Sequence, residues 1–110
     1  MSIERPWLAN YPANVPAQVN VDEFPSIVSV LEQACERFRD NPAFTNFGST
    51  LSYDDIDRLS RRFAGYLLGE LKLKKGDRVA LMMPNVLQYP IAIFGVLRAG
   101  LTVVNTNPMY

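Results

Sequence analysis

Few residues in this sequence are of a type that does chemistry, and they fall in four places. Asp54, Asp55 and Asp57 crowd three carboxylates together, the kind of cluster that acid–base work or a metal ion uses. Cys35 is a lone thiol, a potential nucleophile. Lys74-Lys75-Gly76-Asp77 sets two cations beside a glycine, as a phosphate contact would. Asn105-Thr106-Asn107 offers amides and a hydroxyl able to hydrogen-bond a ligand.

Most of these have a plainer explanation in local structure. Consecutive helix residues point to different sides, so aspartates on one helix do not converge. They fall instead where a helix begins, and its positive end favours them. No histidine exists in the chain to activate Cys35, and a buried unpaired cysteine behaves as a small hydrophobe. The lysine pair lacks the flanking glycines and the Ser/Thr of a phosphate loop, so a solvated turn is expected. The six glycines, at 48, 65, 69, 76, 95 and 100, are scattered. Phosphoryl transfer needs clustered backbone donors, a cation and a metal ligand, and no His/Cys cluster suits zinc. No catalytic, cofactor-binding or metal-ligating residue is assigned. Asn105, Thr106 and Asn107 remain as candidates. They follow the carboxyl end of a strand expected to be parallel, where open α/β sheets bind ligands. The competing explanation is a turn built by Asn105, Asn107 and Pro108.

The elements that must position these groups follow from the hydrophobic pattern. Residues 1–25 carry Pro6, Pro12, Pro16 and Pro25 and read as an extended arm. Trp7, Leu8, Tyr11 and Phe24 are expected to pack on the domain's own surface, the alternative being a partner or a further domain. A first helix is predicted over Ser26–Phe38, with Ile27, Val30, Leu31, Ala34, Cys35 and Phe38 on one stripe. A short hairpin, 43–47 with 50–52, turns about Gly48-Ser49. Ser52 to Asp55 has the form of a capping box and opens a second helix whose inward stripe is Ile56, Leu59, Phe63, Tyr66 and Leu67. Asp54 with Arg58, and Asp57 with Arg61, are spaced to pair across one turn.

Arg78–Met83 is an apolar strand without alternation, which predicts burial on both faces as in a parallel sheet. Asn85 is placed to cap a third helix over Val86–Ala99, with Pro90 near its start and Gly100 at its end. Leu101–Val104 is the next strand. Strand, helix, strand makes a βαβ unit, so the fold class is α/β.

The 110 residues suit one domain or part of one. The chain is 48% hydrophobic and 20% charged, a globular composition. Eleven basic residues balance eleven acidic ones, which removes the electrostatic case for nucleic acid as a partner. One cysteine allows no internal disulfide, consistent with a reducing compartment. Met1–Asn10 has no apolar run of a signal peptide, and no apolar stretch reaches the ~20 residues of a membrane span. A soluble, cytoplasmic protein is expected. The third helix is apolar nearly all round, with only Gln88 and Arg98 strongly polar, and a helix of that kind is buried nearly all round. The chain offers little to cover it, so it reads as incomplete and is expected to self-associate or swap elements when isolated.

Leu51-Ser52-Tyr53-Asp54-Asp55-Ile56 resembles the first core motif of adenylate-forming enzymes. Leu97-Arg98-Ala99-Gly100, running into Leu101–Val104, is similar to the second. Longer strings, WLANYP from Trp7, KKGDRVALMMPNVLQYP from Lys74, FGVLRAG from Phe94 and VVNTNPMY from Val103, resemble bacterial long-chain fatty-acid–CoA ligases. The resemblance covers essentially the whole chain. It implies an α/β fold: residues 26–110 would be the incomplete start of the large N-terminal AMP-binding domain, with three helices, a βαβ unit and a partly parallel sheet. It implies an enzyme of about five times this length that uses ATP, magnesium and CoA to turn a fatty acid into acyl-CoA, AMP and pyrophosphate through an acyl-adenylate. The catalytic motifs lie downstream in that family, so this chain alone is expected to be inactive and to hold no cofactor. Asn105, Thr106 and Asn107 would border the acyl or pantetheine channel. The resemblance also implies a cytoplasmic enzyme with peripheral association at the inner membrane. Two other functions fit the residues: another adenylate-forming ligase, aryl or peptide-synthetase, or a free-standing α/β interaction module.

Overall fold

A computed structural model describes residues 3–110, and Met1 and Ser2 of the arm lie outside it. After a 3-10 turn at Pro6–Asn10 come α1 (Ile27–Arg37), β1 (Pro42–Asn46), β2 (Ser49–Ser52), α2 (Tyr53–Gly69), β3 (Arg78–Leu81), α3 (Gln88–Arg98) and β4 (Thr102–Asn105). The strands form two pairs. β1 and β2 are antiparallel, and β3 and β4 are parallel with Arg78 opposite Thr102 and Leu81 opposite Asn105. With α3 as the crossover, β3-α3-β4 is the expected βαβ unit, and the fold is mixed α/β.

Each helix start has a local cause. Ser26 Oγ accepts from the Ser29 N–H at 3.0 Å and caps α1. At α2 the capping box is complete: Asp55 N–H donates to Ser52 Oγ at 3.1 Å, and Ser52 N–H donates to Asp55 Oδ2 at 2.9 Å. α3 differs from expectation. It begins at Gln88, its N-cap is Leu87, and Asn85 does not cap it. The chain bends first, with Val86 N–H donating to the Pro84 carbonyl at 2.9 Å. The Asn85 carbonyl instead accepts from Asn46 Nδ2 at 2.8 Å, tying β1 to the loop before α3. Pro90 is the third helical residue, where its missing N–H has no intrahelical acceptor to lose.

The hairpin turns at Phe47-Gly48, one residue earlier than expected, because Asn46 pairs with Ser49. Both turn residues have positive φ, 49° and 79°, as a two-residue hairpin loop with the strands' twist requires. Glycine supplies this freely at 48. Phe47 accepts it with its ring in solvent.

Two apolar clusters form the core. The larger joins Ala64 and Leu67 of α2 to Ala92 and Val96 of α3, with Leu81, Ala99 and Leu101 beneath. The smaller joins Leu31 and Cys35 of α1 to Ile56 of α2. Where α2 crosses α3 the residues are small. A Cβ on Gly95 would lie 2.7 Å from Phe63 Cδ2 and 3.1 Å from the Ser60 carbonyl oxygen. This close approach turns α2 from its expected orientation: Ser60 and Ala64 are buried, while Tyr66 is exposed.

β3 ends at Leu81 rather than Met83, and its burial is one-sided. Ala80 and Met82 are exposed, and so is Val104 on β4. Two strands alone leave one face of a parallel pair open. In α3, Ala92, Gly95 and Val96 are buried and the other apolar residues are half-buried. The arm packs only in part as expected, with Phe24 half-buried. Trp7 and Tyr11 are exposed and Leu8 half-buried, and among the described residues the Pro6–Asn10 turn approaches no other helix or strand within 8 Å between Cα atoms.

Candidate functional site

The end of β4 meets the beginning of α3, because a crossover helix runs back along its own sheet. Tyr89 Oη donates there to Asn105 Oδ1. Thr106 N–H extends the ladder to the Leu81 carbonyl at 2.9 Å. Asn107 closes a turn, accepting from Met109 N–H at 2.9 Å through Oδ1. The structure thus places Asn105 at the carboxyl edge of the sheet, Thr106 in the extended ladder and Asn107 in a turn.

Beside Tyr89 an open cleft of about 380 Å³ separates β1 from α3. Phe44, Leu87, Pro90, Ile93 and Phe94 form apolar walls, and Asn46 and Tyr89 add polar groups. Asn105, Thr106 and Asn107 do not line it; Asn105 reaches its rim through Tyr89. Apolar walls with a few polar groups, at this volume, are what ligand clefts offer. Neither Tyr89 nor Asn46 stood out in the sequence, since each takes its meaning from a partner distant along the chain.

The aspartates at the start of α2 are structural. Arg58 bonds Asp55 at 3.0 Å rather than Asp54, and Asp54 pairs with Arg39. Asp57 is the buried one. It accepts from Arg61 Nε at 2.9 Å, as the spacing predicted, and from Arg98 Nη2 at 2.7 Å, with Arg39 more distant at 3.4 Å. Burial pushes the Asp57 carboxyl up, but hydrogen bonds and charge from Arg61 and Arg98 outweigh it and hold the group below the usual carboxylate range. Cys35 lies nearby, 1% exposed. Burial and the Asp57 charge push its thiol up, the opposite of what a nucleophile needs.

The Lys74–Asp77 turn does not fit a triphosphate. Its backbone donors are used internally: Lys74 N–H to Asp77 Oδ2 at 2.7 Å, Asp77 N–H to the Lys74 carbonyl, and Gly76 N–H to the Gly100 carbonyl. Among the described residues no group of three or more His, Cys, Asp or Glu is arranged to hold a metal ion. Among the described residues, that turn and the α2 aspartates leave no free donor set for ATP or magnesium.

The sequence profile of the family described as "AMP-binding enzyme" matches residues 31–110. A long-chain-fatty-acid–CoA ligase of Salmonella typhimurium is 54% identical over 108 residues, covering 98% of this chain and 19% of that protein. Among solved structures, a Mycobacterium tuberculosis fatty acyl CoA synthetase superposes with a TM-score of 0.69 at 28% identity, over 76% of this chain and 17% of that one. The Klebsiella oxytoca NpsA N-terminal subdomain, at 19% identity over 80% of this chain and 22% of that one, shares the fold with a TM-score of 0.74. The chain belongs to the AMP-binding enzyme family, and its α/β fold is that of adenylate-forming enzymes. It spans about a fifth of the length of the curated relatives it matches.

Proposed function

We propose that this chain is the N-terminal part of a long-chain fatty-acid–CoA ligase. The whole enzyme joins a fatty acid to CoA with ATP and magnesium, by way of an acyl-adenylate, and releases AMP and pyrophosphate. The carrying observation is 54% identity over 98% of the chain to a protein named for that activity. In this proposal residues 1–25 are the arm and residues 26–110 open the AMP-binding domain. The chain supplies scaffold rather than catalytic groups, because its cluster of aspartates is consumed by arginines and its lysine turn by internal hydrogen bonds. Asn105, Thr106 and Asn107, at the carboxyl edge of β4, border the acyl or pantetheine channel.

We further propose a cytoplasmic enzyme with peripheral contact at the inner membrane. Among the described residues no helix is long and apolar enough to cross a membrane. The open faces at Met82 and Val104 would make the isolated chain self-associate.

The experiment is to incubate the intact natural protein carrying these residues with palmitate, ATP, magnesium and CoA, and to follow palmitoyl-CoA and pyrophosphate. Formation of both supports the proposal. Activation of aryl or amino acids with no product from palmitate would overturn it. The 110-residue chain alone is expected to give no product, and turnover by it would overturn the scaffold assignment.

A further inference from the structure

Helix α3 is held at both ends. At its start Tyr89 donates to Asn105 of β4. At its end Arg98 donates to Asp57 of α2 at 2.7 Å. The Arg98 side chain is 7% exposed; among the described residues its one side-chain hydrogen bond goes from Nη2 to Asp57, and its buried Nε has no partner. Arg39 and Arg61 also reach Asp57, but their side chains are 45% and 64% exposed, so water would satisfy them if Asp57 were gone. Arg98, at 7% exposure, has far less such recourse.

The corner that follows Arg98 is closely constrained. Gly100 N–H donates to the Leu97 carbonyl at 3.0 Å, Leu101 N–H to the Val96 carbonyl at 3.1 Å, and Thr102 N–H to the Asp77 carbonyl at 2.8 Å. These bonds fix the start of β4 relative to the end of α3 and to Asp77, and β4 runs on to bring Asn105 beside Tyr89 and the cleft. Near the pair, the contact of Gly95 with Phe63 and Ser60 leaves no slack between α2 and α3. Asp57 directly follows the first motif-like segment, and Arg98 lies within the second.

We propose that Asp57 and Arg98 are positioning residues: their ion pair locks α2 to the α3–β4 corner and so sets where Asn105 and the cleft beside Tyr89 stand for the ligase reaction. The effect on turnover rests on the ligase function proposed above; the effect on the position of β4 does not.

The test uses the intact natural protein with Asp57→Asn, Arg98→Lys, Arg98→Met and the double variant Asp57→Asn/Arg98→Met, which leaves no orphaned cation. Ser52→Ala serves as a control that weakens α2 without touching the pair. Hydrogen exchange at residues 102–106 and steady-state kinetics with palmitate are the two readouts. In Asp57→Asn, exchange there should be about tenfold faster than in the control. kcat/KM should fall on the order of tenfold to a hundredfold, as displaced reacting groups allow, and Arg98→Lys should retain more than Arg98→Met. If Asp57→Asn does not fold, the double variant is judged on the same readouts. Exchange and kinetic constants equal to those of the control would overturn the pair's role. A wild-type protein that makes no palmitoyl-CoA would instead sink the ligase function, while the exchange comparison would still decide whether the pair holds β4.

Discussion

Arg98 Nη2 lies 2.7 Å from Asp57 Oδ1, although 41 positions separate them in the sequence. The contact joins α2 to the last turn of α3 and is almost wholly withdrawn from water. A buried pair of this kind owes its energetic importance less to attraction than to what remains when one member is lost.

Asp57→Ala should therefore cost about 3–5 kcal/mol, because it strands the Arg98 guanidinium without an acceptor. Urea unfolding followed by circular dichroism measures this. A loss no larger than that of an exposed aspartate would contradict the assigned burial.

Acid should reproduce part of that loss. The folded-state pKa of Asp57 is lowered, below the unfolded value of about 3.9. Its contribution is thus complete above the unfolded pKa and disappears as pH falls through the folded one. Between neutral pH and the mid-acid range this group should leave stability flat. Below about pH 4 the wild type should lose stability faster than Asp57→Asn, as unfolding curves at stepped pH would show.

Gly95→Ala sets two effects against each other. Alanine improves helix propensity by about 1 kcal/mol. The added methyl meets Phe63 and the Ser60 carbonyl, and overpacking costs about 1–3 kcal/mol. Because one obstacle is backbone, the clash should win, and the thermal midpoint should fall rather than rise.

Much of this was legible in the sequence, and the misses have a common cause. The capping box at Ser52 and Asp55 was readable because both partners lie within one turn. The Arg61–Asp57 pair was readable for the same reason. Arg98 as Asp57's partner was not, because tertiary packing brings it there; its only local signal was a lone cation in the apolar run of α3. Asn85 looks like a cap, but the chain bends at Pro84–Val86 and α3 starts only at Gln88, leaving the Asn85 carbonyl to accept from Asn46 of the distant hairpin. Tyr66 and Ser60 changed places relative to the expected stripe because Gly95 lets the helices meet on their small residues. At the candidate site, Asn105 could be placed at a strand end, whereas Tyr89 and the cleft appeared only once α3 had folded back along β4.

Ser52→Ala removes the acceptor for the Asp55 N–H at the head of α2. It should cost about 1 kcal/mol, the usual value of such a cap, and differential scanning calorimetry would register the lower midpoint. No change would mean that water replaces the hydroxyl.

Cys35 should be inert toward alkylating reagents while the protein is folded. Its thiol is buried and its ionisation pushed up. Labelling by iodoacetamide should follow the rate of opening and accelerate in urea. Rapid labelling in native buffer would show that α1 separates from α2 far more readily than the packing of Leu31 and Ile56 implies.

The two strand pairs also differ in how soon each can form. β1 and β2 are joined by two residues and close locally, on the order of microseconds. β3 cannot find β4 until α3 has been made and folded back, so the parallel pair pays a larger chain-closure cost before any contact rewards it. The hairpin and α2 are thus suited to be the early scaffold. The Arg98–Asp57 contact joins that scaffold to the β3-α3-β4 unit, so weakening it should chiefly speed unfolding, as loss of a late-formed contact does.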